Sequence, residues 1–407
     1  MNPQIMVAFH FYFKTNLSTI LKHTGEAIVK VGILKETARD EKRVVLVPDD
    51  VAKLVGKGAV IKVERDAGSA AGHSNDAYSK AGAEIVDSAQ ALCSESAIVL
   101  RVNRPTVEEI KSLKKGCIHI SLLDPYLSPE ITDAMADQGV SAFSLEMIPR
   151  STYSQKMDVL SSQANLAGYV AVIQAAAKLT KIFPMMMTPS GSIQPARVFV
   201  LGAGVAGLQA IATAKRLGAR VTAFDIRPEA IEQIESLGAK ALKIDMGETS
   251  STKDGYAKEI SEEQKEKQKK AMTKTCGQSN IVITTAQVFG RKAPVLIDEQ
   301  TIAAMQPGSI IVDMAVGTGG NVAGSKLDEE VDVNGVTIIG IGNLPGFVAT
   351  DSSRMFSANI FNFISDFWDE ENKTFKMDLE NEILAATLIT HEGKIVNERV
   401  KSAREKS

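Results

Sequence analysis

The stretch Val198-Phe-Val-Leu-Gly202-Ala-Gly204-Val-Ala-Gly207 decides the fold that the sequence predicts. An apolar run ends in Gly-x-Gly-x-x-Gly, and a helical pattern follows from Leu208 to Leu217. A second apolar run, Arg220-Val-Thr-Ala-Phe224, then ends in Asp225. Strand, glycine turn, helix, strand and terminal acid are together the fingerprint of a dinucleotide-binding βαβ unit. We therefore expect a doubly wound parallel sheet that binds a dinucleotide.

Each glycine of the fingerprint has its own physical task. Gly202 allows the tight turn after the strand, and Gly207 lets helix and strand pack closely. Gly204 has no Cβ, so the backbone can approach a pyrophosphate. The helix N-terminus offers free N–H groups and the positive end of its dipole to the phosphates. The alternative is a tight βα turn without a ligand, but the flanking elements favour a nucleotide.

Asp225 favours NAD over NADP. It lies 18 residues after Gly207, where a carboxylate can accept both ribose hydroxyls. A 2′-phosphate beside it would set like charges ~4 Å apart, which costs about 4 kcal/mol per charge pair at an effective dielectric of ~20. We interpret Arg227 as stacking on the adenine or pairing locally.

Composition restricts the class of protein. A chain of 407 residues is expected to form two or three domains. The 44% apolar and 23% charged residues are typical of a soluble enzyme, and the net charge of −3 does not predict nucleic-acid binding. The three cysteines and five histidines are scattered, so we expect no metal site and a reducing compartment. No apolar run approaches the ~20 residues of a membrane span.

Alternating strand and helix patterns predict an α/β protein with two Rossmann-like doubly wound parallel-sheet domains separated by an NAD-binding cleft. Residues 1–29 are expected to be an N-terminal extension, either loosely packed or an organellar transit peptide. Residues 30–160 with about 350–407 are assigned to a discontinuous first domain, and 161–349 to the NAD-binding domain. A long helix opening at Asp158 is expected to bridge the two domains, with its N-terminus in the cleft.

Three segments carry weaker signals. Pro184 to Pro195 predicts a hairpin arm, whose three adjacent methionines suit either core packing or a dimer contact. Residues 254–270 are dense in charge and predict a solvated helix, with Gly255-Tyr256 before it as a mobile flap. The Lys/Arg/Glu-rich C-terminal tail is expected to fray.

The stretch Arg150-Ser-Thr-Tyr-Ser-Gln155-Lys-Met-Asp158-Val-Leu-Ser161 and the residues that follow to Tyr169 carry a specific resemblance. Together with Phe183-Pro-Met-Met-Met-Thr188, Gly204 to Ala219 and Asp254-Gly-Tyr-Ala-Lys-Glu259, it resembles the NAD(H)-binding component, domain I, of proton-translocating NAD(P) transhydrogenase. The resemblance runs from about residue 30 to the C-terminus.

The resemblance implies an activity and partners. In that family hydride passes directly between NAD(H) on domain I and NADP(H) on a separate domain III, and a membrane-spanning domain II couples the transfer to proton translocation. This chain would then be a homodimeric subunit, cytoplasmic and peripheral on the cytoplasmic face of the inner membrane. Domains II and III would be its partners.

The resemblance also implies site residues. Arg150, Gln155 and Asp158 would be the catalytic residues beside the nicotinamide. Gln155 would reach toward the incoming NADP(H), while Arg150, Asp158 and Ser161 orient the NAD(H) ring and its ribose. Asp158 can also be an ordinary helix cap. Direct transfer needs no general base, since both reacting carbons belong to cofactors. Further cofactor contacts are implied at Gly202, Ala203, Gly204, Val205, Ala206, Gly207, Asp225, Ile226, Arg227, Gly255, Gln268 and Gln287.

Two departures from the family pattern keep alternatives open. Gly317 stands where the family usually carries Glu, and Gly346-Phe347 where it often carries Ser-Arg. A catalytically silent NAD-binding regulator of the same fold would suit these changes. Alanine dehydrogenase, which shares the fold, needs an acid/base His and an Asp near the nicotinamide. It is less favoured, because the Asp falls where this chain has Gly317 and because His119 lies inside a predicted strand.

Overall fold

The computed structural model describes residues 29–244 and 262–405, which contain nineteen strands and thirteen α-helices. The strands are β1 Lys30–Ile33, β2 Val60–Glu64, β3 Glu84–Val86, β4 Ile98–Leu100, β5 Ile118–Ser121, β6 Ser141–Ser144, β7 Met186–Thr188, β8 Gly191–Ile193, β9 Arg197–Leu201, β10 Arg220–Phe224, β11 Lys240–Ala241, β12 Ile281–Thr284, β13 Ile310–Asp313, β14 Glu329–Val333, β15 Val336–Gly340, β16 Trp368–Asp369, β17 Thr374–Phe375, β18 Leu388–His391 and β19 Lys394–Ile395. The helices are α1 Pro48–Gly56, α2 Asn75–Lys80, α3 Ala89–Glu95, α4 Val107–Lys111, α5 Pro129–Asp137, α6 Val159–Lys178, α7 Val205–Arg216, α8 Glu229–Ser236, α9 Glu262–Gly277, α10 Glu299–Ala303, α11 Ala349–Asp366, α12 Glu382–Thr387 and α13 Glu398–Arg404.

The first sheet has eight strands in the order β19-β18-β6-β5-β4-β1-β2-β3. Strands β1 to β6 run parallel, and β18 from the C-terminal region of the chain pairs antiparallel with β6. Helix α11 packs on this sheet through Phe363, whose ring meets those of Phe143 and Phe375 at centroid distances of 5.9 and 6.1 Å. The chain therefore leaves the first sheet after β6 and returns to it at its end.

The second sheet has seven strands in the order β11-β10-β9-β12-β13-β15-β14. All pairs are parallel except β14 with β15. The fingerprint strand β9 is central, with β10 on one side and β12 on the other. This reversal of strand order is the switch point at which doubly wound sheets bind their ligands.

The structure confirms the α/β fold with two parallel-sheet units that the alternating pattern predicts. The hairpin arm is also confirmed, because β7 pairs antiparallel with β8. Its methionines, Met185 to Met187, are 45–74% exposed, so within this chain the core-packing interpretation is wrong. The predicted flap at Gly255-Tyr256 lies outside the described residues.

The C-terminal tail corrects one expectation. Residues predicted to fray instead form α13, which begins after the cap residue Asn397, whose Oδ1 accepts the N–H of Arg399. Val400 is buried, and Arg404 pairs with Asp133 of α5 at 2.5 Å. The buried Val400 side chain and the Arg404–Asp133 ion pair hold this highly charged segment against the rest of the protein. Among the described residues, no helix is long and apolar enough to cross a membrane.

Candidate cofactor-binding cleft

The fingerprint turn has the geometry that its glycines require. Gly202 has a φ of +97°, and a Cβ there would collide with the Thr285 hydroxyl, which donates to the carbonyls of Leu201 and Gly202 at 3.2 Å. A Cβ on Gly207 would overlap the carbonyl oxygen of Gly202. Helix α7 is therefore held tightly against the end of β9.

The surface above the turn is open. A Cβ on Gly204 would meet nothing within 4 Å, and Gly204 and Val205 are exposed while Ala203 and Gly207 are buried. Gly204 is the N-cap of α7, without a side chain to cap the first-turn N–H groups. Those donors and the helix dipole suit an anionic group such as a pyrophosphate. The turn fits a dinucleotide.

Asp225 lies at the end of β10 beside this turn. Its Oδ2 accepts the N–H of Ala203 at 2.7 Å, and Arg227 binds the carboxylate through Nε at 2.9 Å and Nη2 at 3.0 Å. Burial raises the pKa of Asp225, but the guanidinium and the backbone N–H groups offset this and hold the pKa below its ordinary value. Of the two interpretations of Arg227, local pairing is the one observed.

The N-terminus of α6 carries the second group of site residues. Asp158 caps this helix, accepting the N–H of Ser161 at 2.9 Å and the Ser161 hydroxyl at 2.6 Å. Arg150 and Gln155 precede it with exposed side chains. The segment between them is fixed to the end of α11, because the Tyr153 hydroxyl donates to Asp366 at 2.7 Å.

Helix α6 connects these residues to the fingerprint. It packs along α7, and a Cβ on Gly168 would overlap the carbonyl oxygen of Ala206. Ten residues separate Asp158 from Gly168, which is about 15 Å along a helix. The Asp158 end and the glycine turn are thus held at a fixed separation by one rigid element.

The loops after β12 and β13 form the rest of the candidate site on the side of the second sheet. The Gln287 amide donates to the Thr318 hydroxyl at 3.3 Å. Asp313 is fully buried and accepts the N–H groups of Ala315 and Asn321 at 3.0 Å. The Asn321 amide in turn donates to the carbonyl of Ala286 at 2.9 Å. Asp313 and Asn321 were missed by sequence reasoning, and they join the two loops beside the site.

The loops of the two sheets meet across a cleft. Tyr126, which follows β5, contacts Phe289, which follows β12, with ring centroids 5.4 Å apart. The Asn343 amide, beyond β15, donates to the carbonyl of Asp40, beyond β1, at 3.3 Å. Carboxyl ends of parallel strands in both sheets therefore face the same space.

The remaining predicted site residues differ in how far they are buried. Ile226 is partly buried next to Asp225, and Gln268 lies on α9, which packs on α10. Gly255 falls outside the described residues. Of the two departures, Gly317 is exposed with open space around it, and Phe347 is 54% exposed.

His119 points away from solvent. It is fully buried in β5, with Nε2 within 3.0 Å of the Ser121 hydroxyl. Burial lowers its pKa to about 3. A neutral buried imidazole is unsuited to exchanging protons with a substrate in the cleft.

The sequence matches two family models that together span most of the chain. Residues 32–167 match the description "Alanine dehydrogenase/PNT, N-terminal domain", and residues 171–398 match "Alanine dehydrogenase/PNT, C-terminal domain". The chain belongs to the alanine dehydrogenase/PNT family. The second match covers the glycine turn, Asp225 and the loops with Gln287 and Asn321, and the first covers Arg150 to Ser161.

Within this family the chain is more similar to transhydrogenase subunits than to alanine dehydrogenases. It is 43% identical over 376 residues to an NAD(P) transhydrogenase alpha-subunit polypeptide of Rhodospirillum rubrum, covering 91% of this chain and 98% of that one. A solved transhydrogenase structure from Sinorhizobium meliloti superposes with a TM-score of 0.81 at 40% identity, covering 90% and 100% of the two chains. Alanine dehydrogenase of Mycolicibacterium smegmatis is 27% identical, covering 91% and 95%.

Proposed function

We propose that this chain is the NAD(H)-binding subunit of a proton-translocating NAD(P)+ transhydrogenase, of the Si-specific translocase class. NAD(H) held in this cleft would exchange hydride directly with NADP(H) held by a partner domain. The observation that carries the proposal is the open glycine turn with Asp225 beside it, held by α6 at a fixed distance from Asp158 and Ser161. The 43% identity to a transhydrogenase subunit supports it.

Bound NAD(H) supplies the hydride chemistry, and the chain's residues bind and orient it. The N–H groups from Val205 to Gly207 would bind the pyrophosphate, and Asp225 would accept from the adenosine ribose. Asp158 and Ser161 orient the nicotinamide ribose from the end of α6. Arg150 would help them to orient the NAD(H) ring, and the exposed Gln155 is suited to reach toward NADP(H) on the partner domain.

The proposal extends to partners and location. The exposed methionines of the β7–β8 arm suit an apolar contact with a second copy, as expected of a homodimer. An NADP(H)-binding domain III would cover the open face of the cleft, and a membrane-spanning domain II would couple transfer to proton movement. The chain would then be peripheral on the cytoplasmic face of an inner membrane.

The decisive experiment mixes the purified chain with a separately made NADP(H)-binding domain III and follows reduction of an NAD analogue by NADPH. Asp158→Asn keeps a good helix cap but removes the charge, so we expect transfer to slow at least about tenfold while folding is retained. Asp369→Asn is the matched control, because this partly buried aspartate also accepts backbone N–H groups, those of Glu371 and Asn372. It should leave the rate unchanged.

The silent regulator is the second candidate, and the exposed Gly317 is what favours it. NADH binding without any transfer, in wild type and controls alike, would support it and sink the transhydrogenase proposal. Since a side chain at position 317 meets open space, Gly317→Glu should fold normally and would then test whether the missing carboxylate silences transfer. An alanine dehydrogenase activity is disfavoured by the buried, neutral His119.

A further inference from the structure

Two aromatic rings meet across the mouth of the cleft. Tyr126 belongs to the loop between β5 and α5 on the first-sheet side, and Phe289 to the loop after β12 on the second-sheet side. Their centroids are 5.4 Å apart and their planes cross at 84°. This edge-to-face arrangement is a favoured geometry for aromatic pairs. Both side chains are half-buried, so the contact is a packed one.

Gly290, the residue after Phe289, also contacts the Tyr126 ring. Gly290 has a φ of +71°, and a Cβ there would lie 2.7 Å from Cδ2 of Tyr126. The tyrosine ring therefore rests on the backbone of the opposite loop as well as on Phe289. Any other residue at position 290 would push the ring away.

The Phe289 loop also carries an expected cofactor contact. Gln287 is two residues earlier and donates to Thr318 at 3.3 Å. The loop contains a tight turn, since the Arg291 N–H donates to the carbonyl of Val288 at 3.2 Å, and it is joined to the loop after β13, since the Ala293 N–H donates to the carbonyl of Thr318 at 2.8 Å. A force that holds Phe289 in place therefore holds Gln287 in place.

The position of the ring pair makes it sensitive to cleft width. The chain passes between the two sheets at α6 and again before α11, so these elements lie where the cleft is closed. Tyr126 and Phe289 follow the carboxyl ends of β5 and β12, where the two sheets face each other. Separation of the sheets at this edge would break the ring contact, together with the Asn343–Asp40 hydrogen bond.

We propose that Tyr126, Phe289 and Gly290 form a latch that keeps the cleft closed, positions the Gln287 loop and slows cofactor release. The three are positioning residues, since they act through the loop and the width of the cleft. The inference rests on the proposed function in taking the cofactor to be NAD(H). Because a ligand binds more weakly when its competent state is less populated, breaking the latch lowers affinity and speeds release.

The first test measures NADH binding and release by fluorescence on the full chain. Phe289→Ala and Tyr126→Ala should each weaken binding about threefold to tenfold, the range expected for one aromatic pair, chiefly through faster release. The double variant should be little worse than either single one, because both remove the same contact. Tyr126→Phe keeps the ring and should bind within about twofold of wild type.

Glycine substitutions separate the latch from general destabilisation. Gly290→Ala and Gly308→Ala both force alanine into positive φ, at +71° and +83°, but nothing lies within 4 Å of the new Cβ at Gly308. Both should lower the melting temperature, whereas only Gly290→Ala should speed NADH release. Equal effects of the two variants on release, or additive effects of Phe289→Ala and Tyr126→Ala, would overturn the latch.

A measurement without cofactor distinguishes failure of the latch from failure of the proposed function. In ligand-free protein, Phe289→Ala should raise hydrogen exchange at the amides of Leu127 and Ser128, which are hydrogen-bonded to Asp124 on the opposite side of the cleft. Unchanged exchange there would contradict the latch. Absence of NADH binding by the wild type would instead contradict the proposed function, and the exchange result would still decide the latch.

Discussion

At the scale of single residues, we expect the choice between NAD and NADP to depend on the Asp225 carboxylate and the Arg227 guanidinium that it holds. Both oxygens of Asp225 accept hydrogen bonds, from Ala203 and from Arg227. A carboxylate offers about four lone-pair sites. Asp225 already accepts four hydrogen bonds, from the N–H groups of Ala203 and Arg227 and from Nε and Nη2 of Arg227, so a ribose hydroxyl would have to share an oxygen with one of these donors or displace it. Arg227 is bound in a bidentate manner and is therefore not free to receive a 2′-phosphate. We therefore expect the carboxylate to disfavour NADP in two ways, by repelling a 2′-phosphate and by holding the Arg227 guanidinium that could otherwise bind one.

Asp225→Ser tests this arrangement. The substitution removes the like-charge repulsion and releases the Arg227 guanidinium, so we expect the ratio of NADPH to NADH affinity to rise at least about tenfold. Dissociation constants for both cofactors, measured by nucleotide fluorescence, give the ratio. In Asp225→Ser/Arg227→Ala most of the gain should vanish, and a gain that persists there would assign the change to repulsion alone.

Single residues of the site differ in how well the sequence predicts them. The glycines and Asp225 follow from local geometry, since a tight turn and a strand end are fixed by neighbours in the chain. The roles of Asp313 and Asn321 could not be predicted, because Asp313 accepts from Asn321 at the far end of its loop and the Asn321 amide donates to Ala286 in the loop after a different strand. The pairing of Arg227 was one of two interpretations that only side-chain geometry could separate.

At the scale of elements, the contact between α6 and α7 sets the distance between the two ends of the site. Gly168→Ala should move the first turn of α7, because the new Cβ would overlap the carbonyl of Ala206. We expect a loss of about 1–3 kcal/mol in the free energy of unfolding, typical of overpacking, together with weaker NADH binding. Denaturant unfolding and fluorescence titration measure the two effects.

Gly56→Ala is the control for that substitution. Gly56 also lies in a helix, the last residue of α1, and nothing lies within 4 Å of its added Cβ. Since alanine is a better helix former than glycine, this variant should be as stable as wild type or slightly more so. If Gly168→Ala behaved in the same way, close packing of α6 on α7 would not limit the geometry of the site.

Elements were predictable where periodicity is strong. Strand β10 matches the predicted run from Arg220 to Phe224 residue for residue. Helix α3 was missed since its seven residues are mostly small and polar, and edge strand β14 since three of its five residues are acidic. The fold of the tail into α13 depends on a distant partner, Asp133.

At the scale of the whole molecule, the alternating strand and helix patterns of the sequence predict two sheets separated by a cleft. They do not predict the contacts between the two sheets. Nothing local to Tyr126 or Phe289 relates one residue to the other, as they lie 163 residues apart. Only the docked arrangement of both sheets brings them together. The contacts that set cleft width are for this reason the feature of the site least accessible from the sequence.

The buried histidine of the first sheet makes the stability of the whole chain depend on pH. Burial depresses the pKa of His119 from 6.5 to about 3, so the unfolded chain binds this proton at a pH where the folded chain does not. The folded state therefore has its full stability with respect to this group above pH 6.5, and that stability decreases as the pH falls from 6.5 toward 3. Between those values the free energy of unfolding should fall by about 1.4 kcal/mol per pH unit from this group.

His119→Gln removes this titration while keeping a polar side chain next to Ser121. Urea unfolding at pH 7, 6 and 5 should therefore show wild type losing roughly 2 kcal/mol more than the variant over that interval. Carboxylates common to both proteins cancel in the comparison. Parallel pH profiles would mean that His119 takes up a proton in the folded state, and that would reopen an acid/base role for it in the cleft.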